Sequence, residues 1–471
     1  MPDFDFAVIG AGAAGLSVAS VVAQLGLKVA LIERDRMGGD CLNVGCVPSK
    51  ALLAAADAAE TARAAGRLGI ALPEPVVDWA RVQAHVHGAI AAIAPTDSEE
   101  RYSALGATVL RANARFTGPD ALEVDGRRLT ARRIVIAAGS RARIPDIPGL
   151  ADIPYLTHAN LFDLAERPAH LLIVGGGPIG VEMAQAHAGL GCRVTVVQSG
   201  QLVPKEDPEL VEGLRRVLLA QGIELVERAG IAAVEPGPTL VLADGRRFGG
   251  THLLVATGRQ PNFEGLGLEA AGIRPTRFGI PTDAGLRSLT NRRVFAVGDI
   301  ADPNGIGPRY FTHVGSYHAG IVIRRAVFRL PARVDYAALP RVTYTDPELA
   351  QTGLTEAEAR AAGHRVTVLR SSLAENDRAI AEGRTSGMVK LVVSRRGRVL
   401  GAGILAPHAG EMIGTWSLAI ARHVPLAALA GMIVPYPTRS EAAKRAAASL
   451  YAARLFAPGT RRLVRLLSRL G

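Results

Sequence analysis

The sequence predicts an α/β fold of about three domains, and three observations carry that expectation. The chain has 471 residues, which at roughly 150 residues per domain leaves room for three. It is 48% hydrophobic and 21% charged, a balance that fills a large core and excludes disorder as the main state. A pattern of apolar run, glycine-rich turn and apolar helical segment also occurs twice, at residues 4–25 and 171–190. Such alternation is expected of parallel sheets flanked by helices.

In the first unit, Phe4 to Ile9 is a short apolar run. Gly10-Ala11-Gly12-Ala13-Ala14-Gly15 follows, then a helical segment to about Leu25 and a strand, Lys28 to Ile32, ending at Glu33. This is a dinucleotide fingerprint in its strand–turn–helix–strand context, hence a Rossmann-like unit. Gly10 permits the tight turn, Gly12 lets the backbone approach a pyrophosphate at a helix N-terminus, and Gly15 allows close helix–strand packing. Glu33 is placed to accept hydrogen bonds from a ribose. Phe6 to Leu27 holds no charged residue, but Gly10, Gly12, Gly15, Gly26, Ser17, Ser20 and Gln24 fit this unit better than a membrane span. The opening MPDFDF has no basic segment, so a cytoplasmic protein without a signal peptide is expected.

The unit recurs. Leu171 to Val174 is the strand, Gly175-Gly176-Gly177-Pro178-Ile179-Gly180 the turn, Val181 to Leu190 the helix and Arg193 to Val197 the next strand. Two fingerprints imply two dinucleotides and electron transfer between them. The second strand ends at Gln198 and Ser199, which match neither the acid that favours NAD nor the arginine that favours a 2′-phosphate. Lys205 reads as a solvated loop residue, and the choice between NADH and NADPH stays open. Further strands run into glycine turns at Gly139, Gly258 and Gly298-Asp299. Asp299 suits either a cofactor hydroxyl or a helix cap.

Three cysteines exclude a disulfide-stapled secreted scaffold. Two of them lie in Gly38-Gly39-Asp40-Cys41-Leu42-Asn43-Val44-Gly45-Cys46-Val47-Pro48-Ser49-Lys50. At that spacing a regular helix points Cys41 and Cys46 to different faces, so joining them needs local distortion. Gly45 supplies backbone freedom and Pro48 a break. No Cys/His pattern completes a zinc site, and Cys192 reads as a small buried residue. No metal site is expected; a redox-active pair beside a flavin is the economical reading.

The segment GGDCLNVGCVPSK resembles the redox-active segment of the class I pyridine nucleotide-disulfide oxidoreductases. These flavoprotein disulfide reductases include dihydrolipoamide dehydrogenase, glutathione reductase and mercuric reductase. Both fingerprints, AVGDIA with Asp299, ATGRQPN at Ala256 to Asn262 and TYTDPELAQTGLTEAEA from Thr343 also resemble the family, in the same order. The resemblance implies an FAD-binding domain in two parts (1–145 and 264–335) and an NAD(P)-binding domain (146–263). A C-terminal α+β dimerisation domain (336–471) completes a homodimer. It implies Gly10, Gly12, Gly15, Glu33, Lys50, Gly139 and Asp299 around FAD, and Gly175, Gly177, Gly180, Gln198 and Gly258 around NADH or NADPH. In the implied reaction, the nicotinamide reduces FAD and FAD reduces a Cys41–Cys46 disulfide. Cys46 becomes the flavin-proximal thiolate and Cys41 the interchange thiol that attacks a small-molecule or protein disulfide. Lys50 lies near the flavin, paired with Glu182, while His408 is structural.

One segment departs from that pattern. Thiol-disulfide members carry His-Pro-Thr with a glutamate five residues after the histidine, whereas this chain reads Val434-Pro435-Tyr436-Pro437-Thr438-Arg439-Ser440-Glu441. Glu441 remains, but Tyr436 stands at the histidine position. With a pKa near ~10, tyrosine is a poor general base at neutral pH. Efficient lipoamide or glutathione turnover is therefore not expected. The pattern is similar to mercuric reductase, yet no cysteine follows Cys192, so the vicinal pair that hands metal inward there is missing. The expectation is an FAD-dependent oxidoreductase passing electrons from NAD(P)H to a disulfide or other thiol-reactive acceptor. A mercuric reductase-like soft-metal or quinone reductase is the alternative.

The net charge of +11 is unevenly placed. Seven basic residues and no acid lie between Lys444 and Gly471, so no nucleic-acid partner is expected. In the last segment Leu463, Leu466, Leu467 and Leu470 share one helical face opposite Arg461, Arg462, Arg465 and Arg469. That pattern suits either peripheral membrane contact or packing on the dimer.

Overall fold

The computed structural model describes residues 1–470. Strand β1 (Phe4–Ile9) leads through the first glycine turn into helix α1 (Ala13–Gln24), and β2 (Val29–Ile32) runs parallel to β1. These strands are apolar on both faces because helices cover both sides of the sheet; Ala7, Val8, Ala30 and Leu31 are fully buried. Helices α2 (Gly39–Asn43) and α3 (Cys46–Ala64) follow. Ala107–Leu110 then adds to the far side of β2, and β3 (Arg127–Ile136) pairs with the other edge of β1. A hairpin at Ala114–Gly118 and Ala121–Val124 extends the sheet antiparallel from β3. The seventh strand, Val294–Ala296, joins β3 from much later in the chain. The first unit is thus discontinuous.

A second, four-stranded parallel sheet orders Glu224–Val226, β5 (Arg193–Val197), β4 (His170–Val174) and His252–Val255. Its helix α4 (Pro178–Gly189) starts three residues before the expected Val181. Pro178 explains the difference, since proline has the helical φ built in and the first helical position needs no N–H. Where the chain leaves and re-enters the first unit, Ser140–Ala142 and Arg259–Pro261 pair antiparallel, and Arg143 N donates to Gly258 O at 3.0 Å.

Helix α5 (Thr312–Ala326) returns across α1. Gly315 permits the approach, because a Cβ there would lie 3.1 Å from the Ala14 Cβ. The C-terminal part is a five-stranded antiparallel sheet in the order Arg341–Thr343, Glu348–Gly353, Val399–Ala406, Met388–Ser394, Val366–Ser372. Val389, Leu391, Ile404, Trp416 and Ala446 lie in its core. Short helix α6 (Asp377–Ala381) follows the strand ending at Ser372, and α7 (Ser440–Leu455) packs against that edge of the sheet. Arg341 to Glu206 (3.0 Å) and Lys390 Nζ to Asp207 Oδ2 (2.9 Å) tie this sheet to the second unit. The expected basic helix forms as α8 (Pro458–Leu467), with Leu463, Leu466 and Leu467 all more than half exposed.

Candidate active site

The cysteine segment folds with the distortion that its spacing demands. Helix α2 carries Cys41 and ends at Asn43; Val44 and Gly45 leave helical geometry, and α3 restarts at Cys46. Gly45 is needed for space, since a Cβ there would sit 2.8 Å from Asp40 O. Pro48, expected as a break, instead lies in the first turn of α3, where its missing N–H forfeits no helical bond.

Cys41 and Cys46 are free thiols in mutual hydrogen-bond contact. The Cys46 pKa is lowered to about 6. Donation from the Cys41 thiol contributes most, burial opposes it, and Thr312 (Oγ1 3.3 Å from Sγ) and the Lys50 charge add to the lowering. Its position in the first turn of α3 acts in the same direction. The Cys41 thiol is pushed up because it donates that bond and is partly buried. At neutral pH the pair therefore shares one proton, with the thiolate at Cys46.

One turn along α3, Lys50 Nζ lies 2.7 Å from Glu182 Oε2 and 4.1 Å from the Tyr344 ring centroid. Glu182 comes from α4 and is only 5% exposed. Its other oxygen accepts the Tyr344 N–H at 3.0 Å, so both oxygens of this buried carboxylate are satisfied.

The cysteines open into a cleft of about 3220 Å³ lined by both glycine turns. Its walls fit bound dinucleotides. Gly10 has φ +103°, and a Cβ there would meet Ala137 O at 2.5 Å; one on Gly15 would meet Gly10 O at 1.9 Å. The second turn repeats this, with Gly175 at φ +116° and 2.4 Å from Ala256 O, and Gly180 1.9 Å from Gly175 O. By contrast, a Cβ on Gly12 meets nothing nearer than Gly39 Cα at 3.8 Å, and one on Gly177 meets nothing within 4 Å. These two positions border the space a pyrophosphate needs. No side chain caps α1 or α4, which leaves first-turn N–H groups for an anion.

Glu33 accepts Ala11 N at 2.6 Å and Asp35 N at 2.8 Å, with lone pairs left for ribose hydroxyls. Gln198 occupies the matching place in the second unit, where its Oε1 accepts Gly176 N at 2.9 Å. Lys205 and Arg228 line the cleft beside it. Gly139 and Gly258 also line it. Asp299 caps no helix with its side chain; it accepts the Ser140 hydroxyl, lies 3.5 Å from Arg259 Nε, and is shifted upward by burial.

Sequence reasoning missed several groups here. Arg259 gathers Ser140 (Nε to Oγ 2.6 Å), His158 (3.1 Å) and Asp40 around itself. Thr312 reaches Cys46 from 266 residues away, and Tyr344 covers Lys50. Only the quoted ATGRQPN and TYTDPEL segments offered a signal for Arg259 and Tyr344; Thr312 and His158 had none. Tyr436 and Glu441 do not line the cleft of their own chain. The Tyr436 hydroxyl donates to Asp377 Oδ2 at 2.9 Å, and Glu441 lies in the first turn of α7.

The pyridine nucleotide-disulphide oxidoreductase profile matches residues 4–325, and the dimerisation domain of the same family matches residues 339–447. Mercuric reductase from Streptomyces lividans is 38% identical over 464 residues, covering 94% of this chain and 95% of that protein. Dihydrolipoyl dehydrogenase from Geobacillus stearothermophilus is 33% identical over 454 residues, covering 93% and 94%. Among solved structures, the Cu(II) complex of the HOCl-induced flavoprotein disulfide reductase RclA from Escherichia coli superposes with a TM-score of 0.83 at 27% identity, covering 93% of this chain and 98% of that one. LpdA from Mycobacterium tuberculosis gives 0.85 at 27%, covering 94% and 99%. Family members use FAD and NAD(P)H. The chain belongs to the pyridine nucleotide-disulphide oxidoreductase family and is an NAD(P)H-dependent flavoprotein oxidoreductase of the disulfide reductase type.

Proposed function

We propose that Cys41 and Cys46 are the electron-transfer centre and that their acceptor is a thiol-reactive species, either a small-molecule or protein disulfide or a soft metal ion. The observation that carries this is the Cys46 thiolate, held by Cys41, Thr312 and Lys50 at the mouth of a dinucleotide cleft. Gly10, Gly12, Gly15, Glu33, Gly139 and Asp299 hold FAD in the domain formed by 1–145 and 264–335. Gly175, Gly177, Gly180, Gln198 and Gly258 hold NAD(P)H in 146–263. Bound FAD supplies the two-electron relay between nicotinamide and cysteines.

The remaining steps belong to the chain's own groups. Cys41 passes its proton to Cys46 and attacks one sulfur of the acceptor disulfide, which releases one thiolate and forms a mixed disulfide. Cys46, once deprotonated, displaces the second thiolate and closes the Cys41–Cys46 bond. Two electrons leave the pair and two acceptor thiols take up two protons. Lys50 holds the negative charge on Cys46, and Glu182 fixes Lys50.

The C-terminal domain (336–471) forms the homodimer. In it, Tyr436 and Glu441 serve the cysteine pair of the partner subunit, by analogy with the family's histidine and glutamate. The enzyme works in the cytoplasm; no helix among the described residues is long and apolar enough to cross a membrane. Helix α8 provides a peripheral contact with anionic lipid, because its leucines are exposed and Arg461, Arg462, Arg465 and Arg469 have no acidic partner among the described residues. Deleting the residues after Pro458 should abolish co-sedimentation with anionic vesicles; unchanged binding sinks that contact.

The decisive test is an acceptor panel of lipoamide, glutathione disulfide, Hg(II) and a quinone, each with NADH and NADPH. Cys46→Ser should remove turnover and the long-wavelength thiolate–flavin absorption. Both should also fade in the native protein below about pH 6, where Cys46 takes up its proton. Retention of the absorption in Cys46→Ser overturns the assignment.

A further inference from the structure

Arg259 stands on the strand that leaves the second unit, yet its guanidinium is spent on the first. Nη2 donates to Ser140 O at 2.8 Å and pairs with Asp40, while Nε donates to Ser140 Oγ at 2.6 Å and lies 3.5 Å from Asp299 Oδ2. Nη1 meets His158 Nε2 at 3.1 Å, and that nitrogen lies 3.2 Å from Asp40 Oδ2. His158 precedes β4, so the second unit sends both side chains across the junction. Both are largely buried.

The two carboxylates they meet line the cleft. Asp40 sits in the first turn of α2, beside the first glycine turn: Gly38 N donates to Ala11 O at 2.9 Å, and a Cβ on Gly12 would lie 3.8 Å from Gly39 Cα. Asp299 follows Gly298, where a Cβ would lie 3.2 Å from the Ala14 Cβ, so it too stands against this turn. Burial works against the charge on Asp40, but the His158 hydrogen bond and the Arg259 cation hold its carboxyl below the usual range.

A pyrophosphate bordered by Gly12 therefore has two acids for neighbours. Like charges repel strongly where water is scarce. The N-terminus of α1 offers only about half a unit of positive charge, and Lys50 is committed to Glu182. Among the described residues, Arg259 is the cation that pairs with both Asp40 and Asp299.

We infer that Arg259 is a positioning residue for FAD: it neutralises Asp40 and Asp299, and so lets a pyrophosphate lie beside them. The inference rests on the reading that Gly10, Gly12, Gly15 and Asp299 hold FAD in this cleft. The hold on the flavin then depends on the second unit as well as on the first.

The test is flavin release from the holoenzyme, followed by FAD fluorescence on dilution, with no turnover involved. Arg259→Met should raise the FAD dissociation constant at least about tenfold, since it leaves two carboxylates without their cation. The discriminating variant combines Arg259→Met with Asp40→Asn. Removing one surplus charge should recover most of the lost affinity. If the guanidinium only tied segments together, losing Asp40 as well would recover nothing. Arg259→Lys keeps the charge without the fork and should retain most of the flavin. Loss that Asp40→Asn does not recover, or that Arg259→Lys shares in full, overturns the charge role. So does native-like retention in Arg259→Met when Gly15→Ala releases its flavin. Retention in both Arg259→Met and Gly15→Ala overturns the placement of FAD beside this turn, and so the reading beneath.

Discussion

The two glycine-rich turns are built alike but end differently. In each, a Cβ on the last glycine, Gly15 or Gly180, would lie 1.9 Å from the carbonyl of the first. In each, a side chain at the end of the second strand accepts the backbone N–H of the turn's second residue: Glu33 from Ala11 at 2.6 Å, Gln198 from Gly176 at 2.9 Å. The hydrogen bond that braces the turn is thus kept in both, and only the charge differs. Glutamine does the structural half of the acid's task. On the proposed reading that this unit takes NAD(P)H, a neutral end would not repel a 2′-phosphate, so the exchange of acid for amide would relax discrimination and leave the shape.

The largest expected break in this comparison comes from the glycines. Gly15→Ala and Gly180→Ala should each cost roughly 1–3 kcal/mol or more through backbone displacement. Their losses should differ in kind: Gly15→Ala should purify with little flavin, while Gly180→Ala stays yellow and is no longer reduced by NAD(P)H. Full flavin content in Gly15→Ala would show the turns to be less alike than their geometry. Next in size, Gln198→Glu should shift the NADPH to NADH ratio of kcat/KM about tenfold toward NADH, the scale of one charged hydrogen bond. An unchanged ratio would place nucleotide choice elsewhere, with Lys205 and Arg228 the next residues to replace. Smallest is Glu33→Gln, which keeps the brace and loses only charge. FAD should bind about fivefold more weakly, the difference of roughly 1 kcal/mol between charged and neutral hydrogen bonds, measured by flavin release on dilution.

Local pattern made much of this legible. The strands at Phe4–Ile9 and Arg193–Val197 begin and end where the apolar runs do, and the turns follow from glycine spacing. The cysteine segment announced its own distortion through five-residue spacing and Gly45. What stayed hidden joins distant parts of the chain. Thr312 meets Cys46 only because Gly315 lets α5 settle on α1. The Tyr436 segment was plainly unusual, but its partner Asp377 lies 59 residues upstream on a helix with no chemical signature. Pro48 misled because a proline reads as a helix breaker unless the helix start is known.

The antiparallel pair Ser140–Ala142 and Arg259–Pro261 brings the chain into and out of the second unit at one place. Its entry and exit are one hydrogen bond apart, so a turn of about two residues could close the gap if everything between were removed. Every strand of the first sheet, Val294–Ala296 included, would remain. This pair is not the whole attachment: Leu52, Trp79, Leu349 and Leu405 share the second unit's core, and Lys50, Arg341 and Lys390 pair with its acids, so a transplanted unit would have to carry that seam with it.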